Sequence, residues 1–196
     1  MQGVNDGSMV IVEEYKQAIN MLFHPGSKIK SMEISDALMY YWKATLIPFV
    51  ITLIEIIAIG GIFSALLNVA QVSSVPYLSL LLSIGLPIFA IIWWVIIEPI
   101  SLLVNAFVLH LFGKYLFKWF KGDYADTFAG SVYAITSGFS LFWIPVIGWL
   151  IAMVGAFIIE LIAIANLNKT TWWRVLIAGI IGGIVIEIIL IIIGHL

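Results

Sequence analysis

Four glutamates lie where a carboxylate would find no water. Glu55, Glu98, Glu160 and Glu187 each fall inside a long apolar run, with no lysine or arginine at their depth. An ionised side chain at the centre of a bilayer costs about 3 kcal/mol or more, so each group must face protein or water, carry a proton, or share a cation. At a helical rise of roughly 1.5 Å per residue, Glu55 lies about 18 Å from Lys43 and Glu187 about 20 Å from Arg174. On the same count Glu160 lies about 13 Å from Lys169, and Glu98 sits nearer the opposite face. Three chemistries stay open. The groups could be neutral acids bonded to Asn105, Ser64, Thr136 or backbone, gluing helices together. Glu55, Glu160 and Glu187 could instead converge on a proton or on a hard cation such as Mg²⁺, Ca²⁺ or Na⁺. The same groups could also hold a polar lipid headgroup.

His110 stands three residues before Gly113 and four before Lys114, which suits a headgroup or capping role, or a metal or proton role. Asp123 and Asp126 read as a turn residue and a helix cap. No glycine-rich phosphate loop, zinc-protease helix motif or serine elbow is present. The absence of cysteine excludes disulfides, thiolate metal sites and a cysteine nucleophile. The expectation is a non-enzymatic protein with no cofactor.

The elements that would position these residues follow from composition. Of 196 residues, 63% are apolar and 10% charged, with a mean hydropathy of +1.14. Soluble domains carry charge at roughly a quarter of their positions, so lipid is the expected solvent. The net charge of −2 gives no sign of nucleic acid. No signal peptide is visible, and MQGVNDGS reads as a disordered tail or expression scar.

A crossing helix needs about 20 apolar residues. Residues 44–67, 146–165 and 172–193 fit, and 128–142 is shorter and more polar. The run 76–111 is too long for one crossing and invites two. The basic residues argue against two. They stand at 16, 28, 30 and 43, then at 114, 118 and 121, then at 169 and 174. Five crossings place all of them on one side, which the positive-inside rule makes the cytoplasmic one. The expected fold is therefore all-α, with a cytoplasmic tail over 1–43 and a five-helix transmembrane domain over 44–193.

Trp42, Trp119, Trp172 and Trp173 would mark the inner interface, and Trp93, Trp94, Trp143 and Trp149 the outer one. Pro76, Gly85 and Pro87 predict an outer-face interfacial or re-entrant piece over 76–92, or else a steeply tilted, proline-broken helix. The basic loops would meet anionic headgroups or a protein partner. Small residues at four-residue spacing (Gly130, Ala134, Gly138; Gly148, Ala152, Ala156; Gly179, Gly183) predict close helix packing within the chain, or a seam with a second copy.

The stretches HLFGK at 110–114, GDYADTF at 122–128 with Tyr133, FWIPVIGWL at 142–150, Gly155 and NLNK at 166–169 occur in that order. Together they resemble the core of the Yip-domain membrane proteins, and LFHPGSKI at 22–29 resembles the segment before the first span in prokaryotic relatives. On this resemblance His110, Gly113, Lys114, Tyr124, Pro145 and Gly148 occupy motif positions. The resemblance implies five helices, a cytoplasmic amino terminus and a scaffold or adaptor role in membrane organisation or trafficking. It places the protein in a prokaryotic cell membrane, or in the endoplasmic reticulum or Golgi of a eukaryote. The tail before the first span is shorter than in eukaryotic members, so their association with Rab-type GTPases does not carry over. A small proton- or cation-coupled transporter using the buried glutamates is the alternative.

Overall fold

The computed structural model describes residues 6–26, 29–69, 78, 80–144 and 147–194, and these are helical apart from short connections. Among the described residues six helices follow in order. They are α1 (Asp6–Phe23), α2 (Ile34–Val69), α3 (Leu81–Leu116), α4 (Tyr124–Phe139), α5 (Ile147–Leu167) and α6 (Trp172–Gly194). Four of them, α2, α3, α5 and α6, are long and apolar enough to cross a membrane.

The arrangement inverts that of a water-soluble bundle. α6 is among the most apolar helices, yet Ile180 and Ile193 are 53% and 62% exposed. α4 is the more polar helix, and it is enclosed on all sides. Its Thr127, Ser131, Thr136 and Ser137 are buried beside Phe128 and Val132. Polar side chains inside and isoleucine outside is what a hydrocarbon solvent selects. It explains why residues 128–142 read as short and polar: this helix is the axis of the bundle and meets no lipid.

Glycines let α5 approach that axis. A Cβ at Gly130 would lie 2.5 Å from Ile164 Cγ1 and 3.0 Å from its backbone nitrogen, and one at Gly138 would lie 2.9 Å from the Ala152 carbonyl. At these two positions the small-residue spacing therefore serves packing within the chain. At the α4–α5 turn a Cβ on Gly148 would run into the Leu141 carbonyl. Pro145 and Pro76 lie outside the described residues.

α3 is one continuous helix over the stretch expected to break. Its wide turns absorb the breakers. π-type turns at Leu81–Gly85 and Trp93–Ile97 each end two residues before a proline, Pro87 and Pro99. Proline has no N–H to give the ladder, and a π turn loosens that ladder locally, so the missing bond disrupts little. An interfacial or re-entrant piece is not seen over the described part of 76–92, and the long-helix alternative describes it better.

One further expectation changes. Trp94 donates from Nε1 to Thr45 Oγ1 at 2.9 Å, its carbonyl accepts from Tyr41 Oη at 3.3 Å, and its ring stacks on Phe49. Trp94 therefore sits within a turn of Trp42 along α2. The two cannot mark opposite faces of a hydrocarbon layer about 30 Å thick. Part of the segment before residue 44 packs into the bundle. Ala18 and Met21 of α1 are fully buried in one core with Tyr41, Phe128 and Ile159.

The connection after α1 lies at the basic end, where Ser31 Oγ donates to Asp126 Oδ1. α1 itself runs back along α4, and Tyr15 Oη donates to the Ser140 carbonyl at 3.0 Å. Its Glu13–Lys16 ion pair stays exposed.

Candidate functional site

At the start of α4 the motif residues assemble. Asp123 and Asp126 cap α4 reciprocally: each side chain accepts from the other's end of the first turn, satisfying N–H groups that the helix leaves open. Asp123, read from sequence as a turn residue, is the N-cap, and Asp126 bonds back to it from the third helical position. Before it, α3 ends in a π turn over Leu111–Leu116, and Lys118 adopts a left-handed φ of 56°. That reversal brings the amides of Trp119 and Phe120 onto the Gly113 carbonyl at 2.8 and 3.1 Å. Position 113 must be glycine because the Phe120 ring occupies the space of a Cβ.

Beneath this loop runs a buried polar chain. His110 Nδ1 lies 2.8 Å from Thr127 Oγ1, and Thr127 Oγ1 donates to Asn168 Oδ1 at 3.3 Å. Asn168 Nδ2 donates to the Ile164 carbonyl at 3.1 Å. A threonine hydroxyl has one proton, and here it goes to Asn168, whose Oδ1 only accepts. His110 must then donate from Nδ1, which fixes its tautomer. His110 is 4% exposed, and Thr127 and Asn168 are fully buried. The headgroup or capping role expected of His110 is therefore replaced by an internal one: it ties α3 to α4, and through Asn168 to the end of α5.

Lys114 and Tyr124 serve the same junction. Lys114 Nζ donates to the Gly122 carbonyl at 2.8 Å and to Asp123 Oδ1 at 3.0 Å. Tyr124 Oη donates to the Leu103 carbonyl at 2.8 Å. The Lys121 amide donates to the Asn168 carbonyl at 3.0 Å, and the Arg174 guanidinium lies over the rings of Trp119 and Trp173. Asn168 was legible only as part of a motif. Its capacity to join two loops comes from the left-handed Lys169 that turns the chain behind it.

The four glutamates do not gather. Among the described residues no three His, Cys, Asp or Glu side chains come close enough to hold a metal ion. The convergence of Glu55, Glu160 and Glu187, one of the three chemistries left open, is not made among the described residues. Glu187 is exposed on α6 and Glu55 half-buried on α2. Glu160 instead joins three helices: its Oε1 accepts from Asn105 Nδ2 of α3 at 3.2 Å and from Ser131 Oγ of α4 at 3.1 Å.

Asn105 was an expected partner and Ser131 was not. Glu98 Oε2 accepts from Trp93 Nε1 at 2.9 Å. Glu98 and Glu160 line one cleft of about 340 Å³ together with Ser101 and Asn105. The signal for it was present in the sequence: Glu98, Ser101 and Asn105 are spaced by three and four residues, one face of a helix.

A second, polar cleft of about 610 Å³ opens between α1, the following connection and α2. Glu14, Asp36, Lys30 and Lys43 line it. No protein-family model, curated protein or solved structure matches the chain.

Proposed function

We propose that the chain is a non-enzymatic integral membrane scaffold or adaptor of Yip-domain type, working through its basic end. One observation carries the reading. The three basic connections are bonded to one another (Ser31 to Asp126, Lys121 to Asn168, Arg174 over Trp119) and so form one continuous, ordered surface. A locked basic face beside apolar helices suits docking to anionic headgroups or to an acidic partner. In this reading α2 to α6 make the five crossings, with the basic face in the cytoplasm. The exposed Glu13–Lys16 face of α1 and the polar cleft beside it then belong to a watery or partner-filled recess, since neither can face acyl chains.

The test uses the absence of cysteine. Single cysteines at 31, 118 and 169 should all react with an impermeant maleimide from the cytoplasmic side alone. Labelling of 118 and 169 from opposite sides would sink the proposal. The transporter alternative rests on the cleft shared by Glu98 and Glu160. It requires proton or cation flux in liposomes that Glu160→Gln abolishes.

A further inference from the structure

Glu160 is more than a strut between helices. Both of its hydrogen bonds fall on Oε1, from Asn105 and Ser131, and Oε2 has no partner among the described residues. The residue is half-buried, and its second oxygen is not enclosed by protein partners. What it meets is space. A cleft of about 580 Å³ lies between α3, α5 and α6 and is lined by Asn105 and Glu160, with apolar walls that include Val104, Phe157 and Ile186.

Glycine opens that cleft. Gly179 and Gly183 of α6 line it, and a Cβ built on Gly183 would meet nothing within 4 Å. An isoleucine or leucine there, as elsewhere on α6, would project into the room that is now empty. The smaller cleft holding Glu98 shares Ser101, Asn105, Phe157 and Glu160 with this one, so the two adjoin along α3. No lysine, arginine or histidine lines either cleft.

We infer that this cleft binds a membrane-soluble amphiphile with an ammonium head and an apolar tail, the head on Glu160 and the tail along Gly179 and Gly183. The chemistry selects that class. A divalent metal ion wants six or more oxygen ligands, and no acidic cluster supplies them. A phospholipid brings a phosphate, for which the clefts offer no cation. A lone ammonium gives hydrogen bonds and charge to the free carboxylate oxygen, and its tail replaces lipid against the apolar walls. Entry is lateral, from the hydrocarbon, because the cleft lies between helices that expose Val104, Phe157 and Ile180 outward.

Dodecylamine, dodecanol and dodecanoate serve as probes on the full chain purified in a non-ionic detergent or in nanodiscs. Saturable binding is read by the melting temperature and by displacement of a fluorescent alkylamine. Dodecylamine should bind and raise the melting temperature, while the alcohol and the carboxylate should bind at least tenfold more weakly. Glu160→Gln should remove that preference and leave the three probes alike.

Because Glu160→Gln could also loosen the helix junction, Gly183→Leu provides a second arm. Its Cβ would meet nothing within 4 Å, and the rest of the leucine side chain would extend into the cleft. It should fold as the parent does and bind dodecylamine at least tenfold more weakly. Equal binding of dodecanol and dodecylamine would overturn the inference, because the carboxylate would then recognise nothing. So would undiminished dodecylamine binding in Gly183→Leu. These outcomes are independent of the labelling pattern that tests the scaffold reading.

Discussion

Thr127→Val would test whether the basic end is locked from beneath. Valine matches threonine in shape, so the change deletes a hydroxyl and little else. That hydroxyl accepts from His110 Nδ1 at 2.8 Å and donates to Asn168 Oδ1 at 3.3 Å, and Thr127 is fully buried. Its loss leaves one donor and one acceptor without partners where no water reaches. An orphaned buried group costs about 1–3 kcal/mol, so two cost about 2–6 kcal/mol. Against a domain stability of about 5–15 kcal/mol, that is a large fraction.

Thr127→Ser keeps the hydroxyl and loses one methyl group, at about 1 kcal/mol. Reversible unfolding in mixed micelles measures both. Adding Asn168→Ala closes a double-mutant cycle, and the two changes should couple by about 0.5–3 kcal/mol. A valine variant within about 0.5 kcal/mol of the parent, or no coupling, would show that the chain of bonds does not hold the loops, because surface changes alone reach that size.

Nitrogen NMR of imidazole-labelled protein should find His110 protonated at Nδ1 and bare at Nε2; the opposite tautomer would break the hydrogen-bond chain as drawn here. Gly130→Leu should cost about 3 kcal/mol or more, because the new side chain meets Ile164 and the backbone of α5 at van der Waals overlap. Gly183→Ala should be neutral or gain about 0.5–1 kcal/mol, having open space around it, and a loss comparable to that of Gly130→Leu would refute the open cleft. Asp126→Ala should cost about 1–2 kcal/mol by removing one arm of the capping box, as read by reversible unfolding in mixed micelles.

The sequence made the lipid-facing helices legible because hydrocarbon selects on composition alone. The unbroken isoleucine runs of α6 needed no tertiary information. The tryptophans failed for a related reason. An interfacial aromatic and one stacked between helices look alike in sequence, and Trp94 is of the second kind, held by Thr45 and Phe49. α1 was missed because Glu13, Lys16 and Gln17 read as solvated, while the Ala18 and Met21 that bury against α4 are too few to stand out.

The glutamates were legible as a problem and illegible as a solution. Depth can be counted along a helix, but the face on which a side chain emerges relative to its neighbours depends on how helices cross. The motif loops were the reverse. Their residues were singled out by order and type, and the fold supplied a reason for each that no headgroup contact would have required.

The two kinds of buried polar contact also differ in what they leave over. At the basic end His110, Thr127 and Asn168 each give or take what the next one needs, and Lys114 completes the Gly122 carbonyl, while Thr170 Oγ1 and Arg174 Nε nearby stay without partners among the described residues. A chain of mutually satisfied groups rigidifies the loops it joins. At Glu160 the accounting does not close, since two donors share one oxygen and the other opens on a cleft. On α6, Gly179 and Gly183 keep that cleft open where a larger residue would project into it. The first arrangement is what a docking surface needs beneath it, and the second is what a binding site needs within it. Both are built on α3, whose π turns absorb two prolines and still deliver Glu98, Asn105 and His110 to three successive levels of one helix.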